Sequence, residues 1–195
     1  MAKTAHHDDE SPGALDRYLP AYDFRSAHEI PVHAPASVTY QVAQDLDMGR
    51  SVPVTVLFAI RALPHLLTGK ARPNRAITME TLLDAGFVIL EENAPRELVF
   101  GAVGRFWRLD SGMIRIAPDE FRGFEDPGFA KGILAFTVEE RGRTRSLLAT
   151  ETRVACTDPI ARRRFSLYWR AIGPWSGMIR RLMLREMKRT AEGSG

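Results

Sequence analysis

TDPIARRRFSLYWRAIGPWSGMIRRLMLREMKRT, residues 157–190, reads as one long amphipathic helix. Asp158 is a good N-cap, and Pro159 stands where a first helical residue belongs. Phe165, Trp169, Ile172, Ile179, Leu182, Met183 and Met187 then recur mostly three or four apart, a single apolar stripe. Gly173-Pro174 interrupts the run. A proline there loses the hydrogen bond to the carbonyl of Arg170 and is expected to bend the axis. A helix with one apolar face needs something to cover, and the residues before it supply a sheet.

Upstream of the helix, residues 87–91, 96–103, 113–116, 133–140 and 144–156 carry strand signals. Asn93-Ala94-Pro95, Asp110-Ser111-Gly112 and Arg141-Gly142 read as turns between some of these strands, and connections this short make antiparallel neighbours. Residues 119–124 fit one helical turn ahead of Asp126-Pro127-Gly128. Near the other end, Ile30 and Val32 alternate in a strand over 27–33, and Pro31 confines that strand to an edge or a bulge. Ala34-Pro35-Ala36 opens a helix in which Val38, Val42 and Leu46 share a face. Residues 52–67, VPVTVLFAIRALPHLL, read as a second helix stopped by Thr68-Gly69. They fall short of the roughly 20 apolar residues that span a bilayer. A short helix over 79–84 closes at Gly86. The order is strand, two helices, antiparallel meander and long terminal helix, an α+β chain.

Composition sets outer bounds. The chain has 195 residues, 45% apolar and 26% charged, with one cysteine and a net charge of +3. At roughly 150 residues per domain it is expected to form one domain. A chain of this size buries about 70% of its unfolded surface, so neither a disulfide nor a structural metal is required. One cysteine cannot pair internally, and the first twenty residues lack an apolar secretory core, so a cytoplasmic location is expected. Residues 1–22 are polar and broken by Pro12, Gly13 and Pro20, and are expected to form a mobile tail. His6 and His7 beside Asp8, Asp9 and Glu10 could be drawn as a metal site, but a terminal tail supplies no rigid support for one. No cofactor or metal is expected.

The order of elements resembles the START-like helix-grip (SRPBCC) superfamily, which includes polyketide cyclases, plant pathogenesis-related ligand carriers and lipid-transfer domains. HEIPVHAPASVTYQVAQDLD, residues 28–47, looks like that superfamily's first strand and first helix. TETRV, residues 150–154, and FSLYWRAIGPWSGMIRR, residues 165–181, look like a branch of it. The resemblance covers about residues 27–191. It implies a single START-like domain over 23–192, with a curved antiparallel sheet wrapped around the C-terminal helix and two short helices after the first strand. It also implies a pocket between sheet and terminal helix, lined by Phe100, Trp107, Leu134, Phe136, Thr150, Thr152, Phe165, Trp169 and Ile172. It carries over no catalytic residue.

The chemistry-bearing residues allow bland readings beside the functional ones. Glu151 and Arg153 share one face of the last strand, with Thr150 and Thr152 on the other. Leu148, Thr150, Thr152 and Val154 make the more apolar face, which is expected to turn inward and leave Glu151 outside. Facing the cavity, Glu151 would be a candidate acid or base; facing out, it is half of a surface pair. Gly101 and Gly104 lack the lysine of a phosphate loop and mark a bend or close packing instead. Cys156 reads as a buried inert thiol. His28 and His33 face opposite sides of their strand and cannot share a metal, while His65 stands alone on a helix. The aromatics Phe165, Tyr168, Trp169 and Trp175 read as core, and in a helix grip the same stripe would also wall a cavity.

Charge is uneven. Residues 161–189 hold nine basic side chains against Glu186, a net +8 that leaves −5 on the remainder. That basic face is either a solvated helix surface or an attraction for anionic lipid. No recognised motif accompanies it, so nucleic acid is not expected as a partner. The leading functional expectation is binding of a hydrophobic or amphipathic small molecule, lipid- or polyketide-like. The alternatives are a cyclase- or dehydrase-type enzyme with an inward acid or base, and a peripheral membrane protein using the basic helix.

Overall fold

A computed structural model describes residues 13–45, 79–108 and 112–193. In chain order the elements are α1 (Ala14–Tyr18), β1 (Phe24–Val32), α2 (Ala36–Gln44), α3 (Met79–Asp84), β2 (Val88–Asn93), β3 (Glu97–Gly104), α4 (Glu120–Gly123), β4 (Ala130–Glu140), β5 (Ser146–Cys156) and α5 (Pro159–Gly193). The strands form one antiparallel sheet in the order β1-β5-β4-β3-β2. β1 is an edge strand, as Pro31 requires. Strand alternation gives the sheet two faces, and α5 lies across one of them against β1, β5 and β4. This is the α+β helix grip that the order of elements implied.

α5 begins where Asp158 and Pro159 placed it. Oδ1 of Asp158 accepts the backbone N–H groups of Ile160 at 2.7 Å and Ala161 at 2.8 Å, and Oδ2 accepts that of Gly128. The cap therefore ties the helix start to the turn before β4. Gly173-Pro174 does not break the helix: α5 stays helical from Pro159 to Gly193 with Pro174 inside it. One hydrogen bond is missing from a helix held down on both sides of the proline, by Phe165 before it and by Met183, Leu184 and Met187 after it.

The opposite face of the sheet has its own core, and residues 14–19 of the segment expected as a mobile tail over 1–22 pack on it, while residues 1–12 lie outside the described residues. α1 lies on that face, with Ala14 and Leu19 buried against Leu90, Val99, Val103, Ile133 and Ala135, beside Phe121 of α4. The Tyr18 hydroxyl donates to the carbonyl of Leu90 at 2.6 Å, and Arg17 pairs with Glu91. Five helical residues are too few to show a period, yet two apolar anchors and the polar contacts of Tyr18 and Arg17 seat them. A bulge between Ile89 and Glu91 sets two residues of β2 on this face, Leu90 toward the core and Glu91 toward Arg17.

Other expectations differ at their edges. β1 starts three residues before residue 27, and β4 three before residue 133. The strand expected at 113–116 is a single bridge between Val103 and Ile114. The helix expected over 52–67, with His65, lies outside the described residues. Gly101 is a close approach: a Cβ there would lie 2.7 Å from Cδ1 of Leu90.

Candidate ligand-binding site

The layer between the sheet and α5 holds two apolar cores, separated along the helix. Near the start of α5, Phe165 is buried with its ring centroid 4.8 Å from Phe24, 5.7 Å from Trp169 and 6.2 Å from Phe106. Trp107, Tyr168 and Cys156 pack against this group. Toward the end of α5, Met183, Leu184 and Met187 meet Leu98, Phe100, Phe136, Val138 and Leu148. Both cores are what alternating strands and an i, i+4 helical row produce together.

Between the two cores the inner face turns polar. The register sets Ser26 beside Thr152, Thr152 beside Leu134 and Leu134 beside Phe100; one rung on, His28 lies beside Thr150 and Thr150 beside Phe136. Oγ of Ser26 lies 3.4 Å from Nε2 of His28. The Oγ1 atoms of Thr150 and Thr152 are closed to solvent and have no hydrogen-bond partner. The buried hydroxyls of Thr39 and Ser146, by contrast, bond each other at 2.8 Å, and Ser146 donates to the carbonyl of Ala34 at 3.0 Å. An unmet buried hydroxyl costs about 1–3 kcal/mol. Leu134 is the second anomaly. It lies on the central strand and faces the helix, yet it is half-buried while Phe100 and Phe136 on the same face are sealed.

On the helix side of this polar stretch stand Gly177 and Arg180. A Cβ at Gly177 would lie 3.3 Å from Nε2 of His28, so the helix backbone comes against β1 there. Three residues on, Nη1 of Arg180 is closed to solvent without a partner, and burial alone pulls its pKa down to about 10. It stays charged at neutral pH. Burial first, then the fields of Arg181 and Arg180, hold the His28 imidazole below its ordinary value, so the ring is neutral at pH 7.

Glu151 lies on the other face, as expected from the apolarity of its neighbours. Its carboxylate accepts from Arg25 at 2.7 and 2.8 Å and from Arg153 at 2.7 Å. The Arg25 bond, with Arg153 adding to it, keeps its pKa low against the opposing effect of burial. It is no acid or base for the sheet–helix layer. Cys156 is half-buried, and burial with Asp23 nearby pushes its thiol up to about 12. His33 points away and lies 3.7 Å from Glu192. An open concavity by Asp23, Phe24, Pro159 and Arg162 sits at the outer start of α5, and its Arg162 and Asp23 already pair at 3.0 Å. Among the described residues no group of three His, Cys, Asp or Glu side chains is placed to hold a metal ion.

Of the nine residues expected to line a pocket, Phe165, Trp169 and Trp107 fall in the aromatic core, and Phe100, Phe136 and Leu134 in the other. Thr150 and Thr152 lie between, and Ile172 is half-buried on α5. Phe100 and Phe136 are core side chains without exposed surface. Arg180, His28 and Gly177 were not among the nine. The signal for Arg180 was there: it stands about three turns after Trp169, on the same helix face.

No family model and no curated protein matches the chain. Among solved structures, the chain is similar to a conserved protein from Geobacillus kaustophilus at 8% identity and TM-score 0.45, over 88% of this chain and 97% of that one. It is similar to a hypothetical protein from Helicobacter pylori at 12% identity and TM-score 0.43, over 97% and 99%. It is also similar to norcoclaurine synthase from Thalictrum flavum at 13% identity and TM-score 0.39, over 88% and 96%. The assignment of the fold stands on the sheet register and helix placement, and the activities of those proteins are their own.

Proposed function

We propose that this chain binds a hydrophobic or amphipathic small molecule in the middle of the sheet–helix layer. The half-open state of Leu134 carries the reading. A leucine on the central strand of a covered sheet face would be sealed if the layer were filled. Apolar walls come from the two cores, and the polar groups between them would orient a ligand. Native mass spectrometry of the purified protein, with titration of the neutral apolar fluorophore N-phenylnaphthylamine, tests it. A co-purifying small molecule or saturable probe binding supports the reading, and a protein that binds neither overturns it. The cyclase or dehydrase alternative needs an inward acid or base. Glu151 is excluded by its face, and neutral His28 is the described residue that would have to serve.

A second reading rests on a separate observation. The outer side of α5 exposes Ile160, Leu167, Trp175 and Met178 along one row, between Arg163, Arg164, Arg170, Arg181 and Arg185. Apolar side chains set among arginines suit the headgroup region of an anionic bilayer. Among the described residues no helix is long and apolar enough to cross a membrane. Co-sedimentation with phosphatidylserine vesicles, lost in high salt and weakened by Trp175→Ser, supports surface attachment. Equal recovery with neutral vesicles removes it.

A further inference from the structure

We propose that the sheet–helix site takes an apolar molecule with a single anionic head, such as a long-chain or aryl carboxylate, and that Arg180 is the residue that holds the head. This deepens the binding reading above and rests on it. A guanidinium stays protonated in proteins, so burying one without a counter-charge is costly. Nη1 of Arg180 is buried and unpartnered.

The carboxylates that could have answered it are engaged elsewhere. Glu151 sits on the far face of the sheet with Arg25 and Arg153. Glu192 lies 3.2 Å from Lys188 and accepts the His33 N–H at 2.8 Å, and Glu186 lies 3.3 Å from Arg189. Among the described residues Arg180 therefore has no internal counter-ion, and a ligand can bring one.

The neighbouring groups narrow the ligand. Thr150 and Thr152 present two unmet hydroxyls on one face of β5, about 7 Å apart along the strand. Each can donate to an anionic oxygen. Of the two arginines whose charge reaches His28, Arg181 is exposed to solvent, so Arg180 is the buried cation of this site. One cation matched by hydroxyls suits a monoanion such as a carboxylate better than a dianionic phosphate. Leu134 and the apolar residues of the two cores supply hydrophobic surface for the rest of the molecule.

The test is displacement of N-phenylnaphthylamine by dodecanoate and by dodecanol, for the wild type, Arg180→Met, Arg180→Lys and the outer-face control Arg164→Gln. The wild type and the control should prefer the acid by about tenfold or more. Arg180→Met should bring acid and alcohol level while keeping the neutral probe, and Arg180→Lys should fall between them. Ligand-free Arg180→Met should melt no lower than the wild type, because it removes an unpaired buried charge. Equal affinities for acid and alcohol in the wild type overturn the anionic head and leave the binding reading standing. A preference lost in Arg164→Gln but kept in Arg180→Met overturns it too, by placing the acid on the outer face. An Arg180→Met protein that fails to fold assigns the residue to structure and overturns the proposal. No probe binding to the wild type overturns the binding reading itself.

Discussion

Gly177 and His28 meet where the terminal helix crosses the edge strand: a Cβ on Gly177 would lie 3.3 Å from Nε2 of the imidazole. The helix comes this near because the residue has no side chain. Gly177→Ala gains about 1 kcal/mol of helix propensity and loses part of it to that contact, so its stability should stay within about 1 kcal/mol of the wild type. Gly177→Leu adds three further carbons in the same place and should cost about 1–3 kcal/mol. Urea unfolding of the two variants checks the contrast. A leucine variant as stable as the wild type would mean that the layer is open at this point.

His28 should give the protein a pH dependence of known sign. Burial and the nearby charges of Arg180 and Arg181 hold its folded pKa below the ordinary value. As pH falls, the unfolded chain takes up this proton first, so the stability present above about pH 6.5 is lost as pH drops toward the folded value. The melting temperature of the wild type should fall between about pH 7.5 and pH 5.5. His28→Gln should flatten that slope. An unchanged slope in the variant would assign the dependence to another group.

Arg153 holds the N-terminal segment to the sheet. It is nearly buried, bonds Glu151 at 2.7 Å, Asp16 at 2.5 Å and the carbonyl of Leu19 at 3.3 Å, and lies 4.8 Å from the ring centroid of Tyr22. Deleting residues 1–22 uncovers the outer core and takes Asp16 from Arg153. Loss of Leu19 burial alone costs about 2 kcal/mol, so the melting temperature should drop by several degrees. A melt unchanged by the deletion would restore the dispensable tail that the polar composition suggested.

That contrast shows what the sequence makes legible. Alternation over Leu148, Thr150, Thr152 and Val154 favours the face of β5 that turns inward, and with it the outward place of Glu151, because a strand has only two faces and this one is the more apolar. Asp158-Pro159 marks the helix start because capping is local chemistry. α1 is not legible: ALDRY is shorter than two turns, and its burial depends on a sheet surface built from residues far along the chain. Arg180 is missed for a different reason. Its charge groups it with the solvated arginines of α5, and only its angular position beside Trp169 and Met187 places it on the inner row.

Cys156 should react slowly. With the thiol pushed up to about 12, only about one molecule in ten thousand carries the thiolate at pH 8. Iodoacetamide should therefore label the native protein far more slowly than the urea-unfolded chain, followed by mass. Labelling at equal rates would show the thiol to be open and the aromatic core around it loose.

Phe136 and Trp169 separate core from wall. Phe136 is sealed on the central strand among Leu98, Leu148 and the methionines of α5, so Phe136→Ala should cost about 3–5 kcal/mol. Trp169 is half-buried, stacked on Phe165, with its Nε1 3.5 Å from where a Cβ on Gly173 would sit. Removing it takes away less buried surface, so Trp169→Ala should cost clearly less than Phe136→Ala. If it walls the proposed site, its removal should also alter the affinity for N-phenylnaphthylamine. Thermal melts and probe titrations of both variants decide the matter. Equal destabilisation with no change in probe affinity would make Trp169 an ordinary core residue and move the ligand wall toward Leu134 and Thr152.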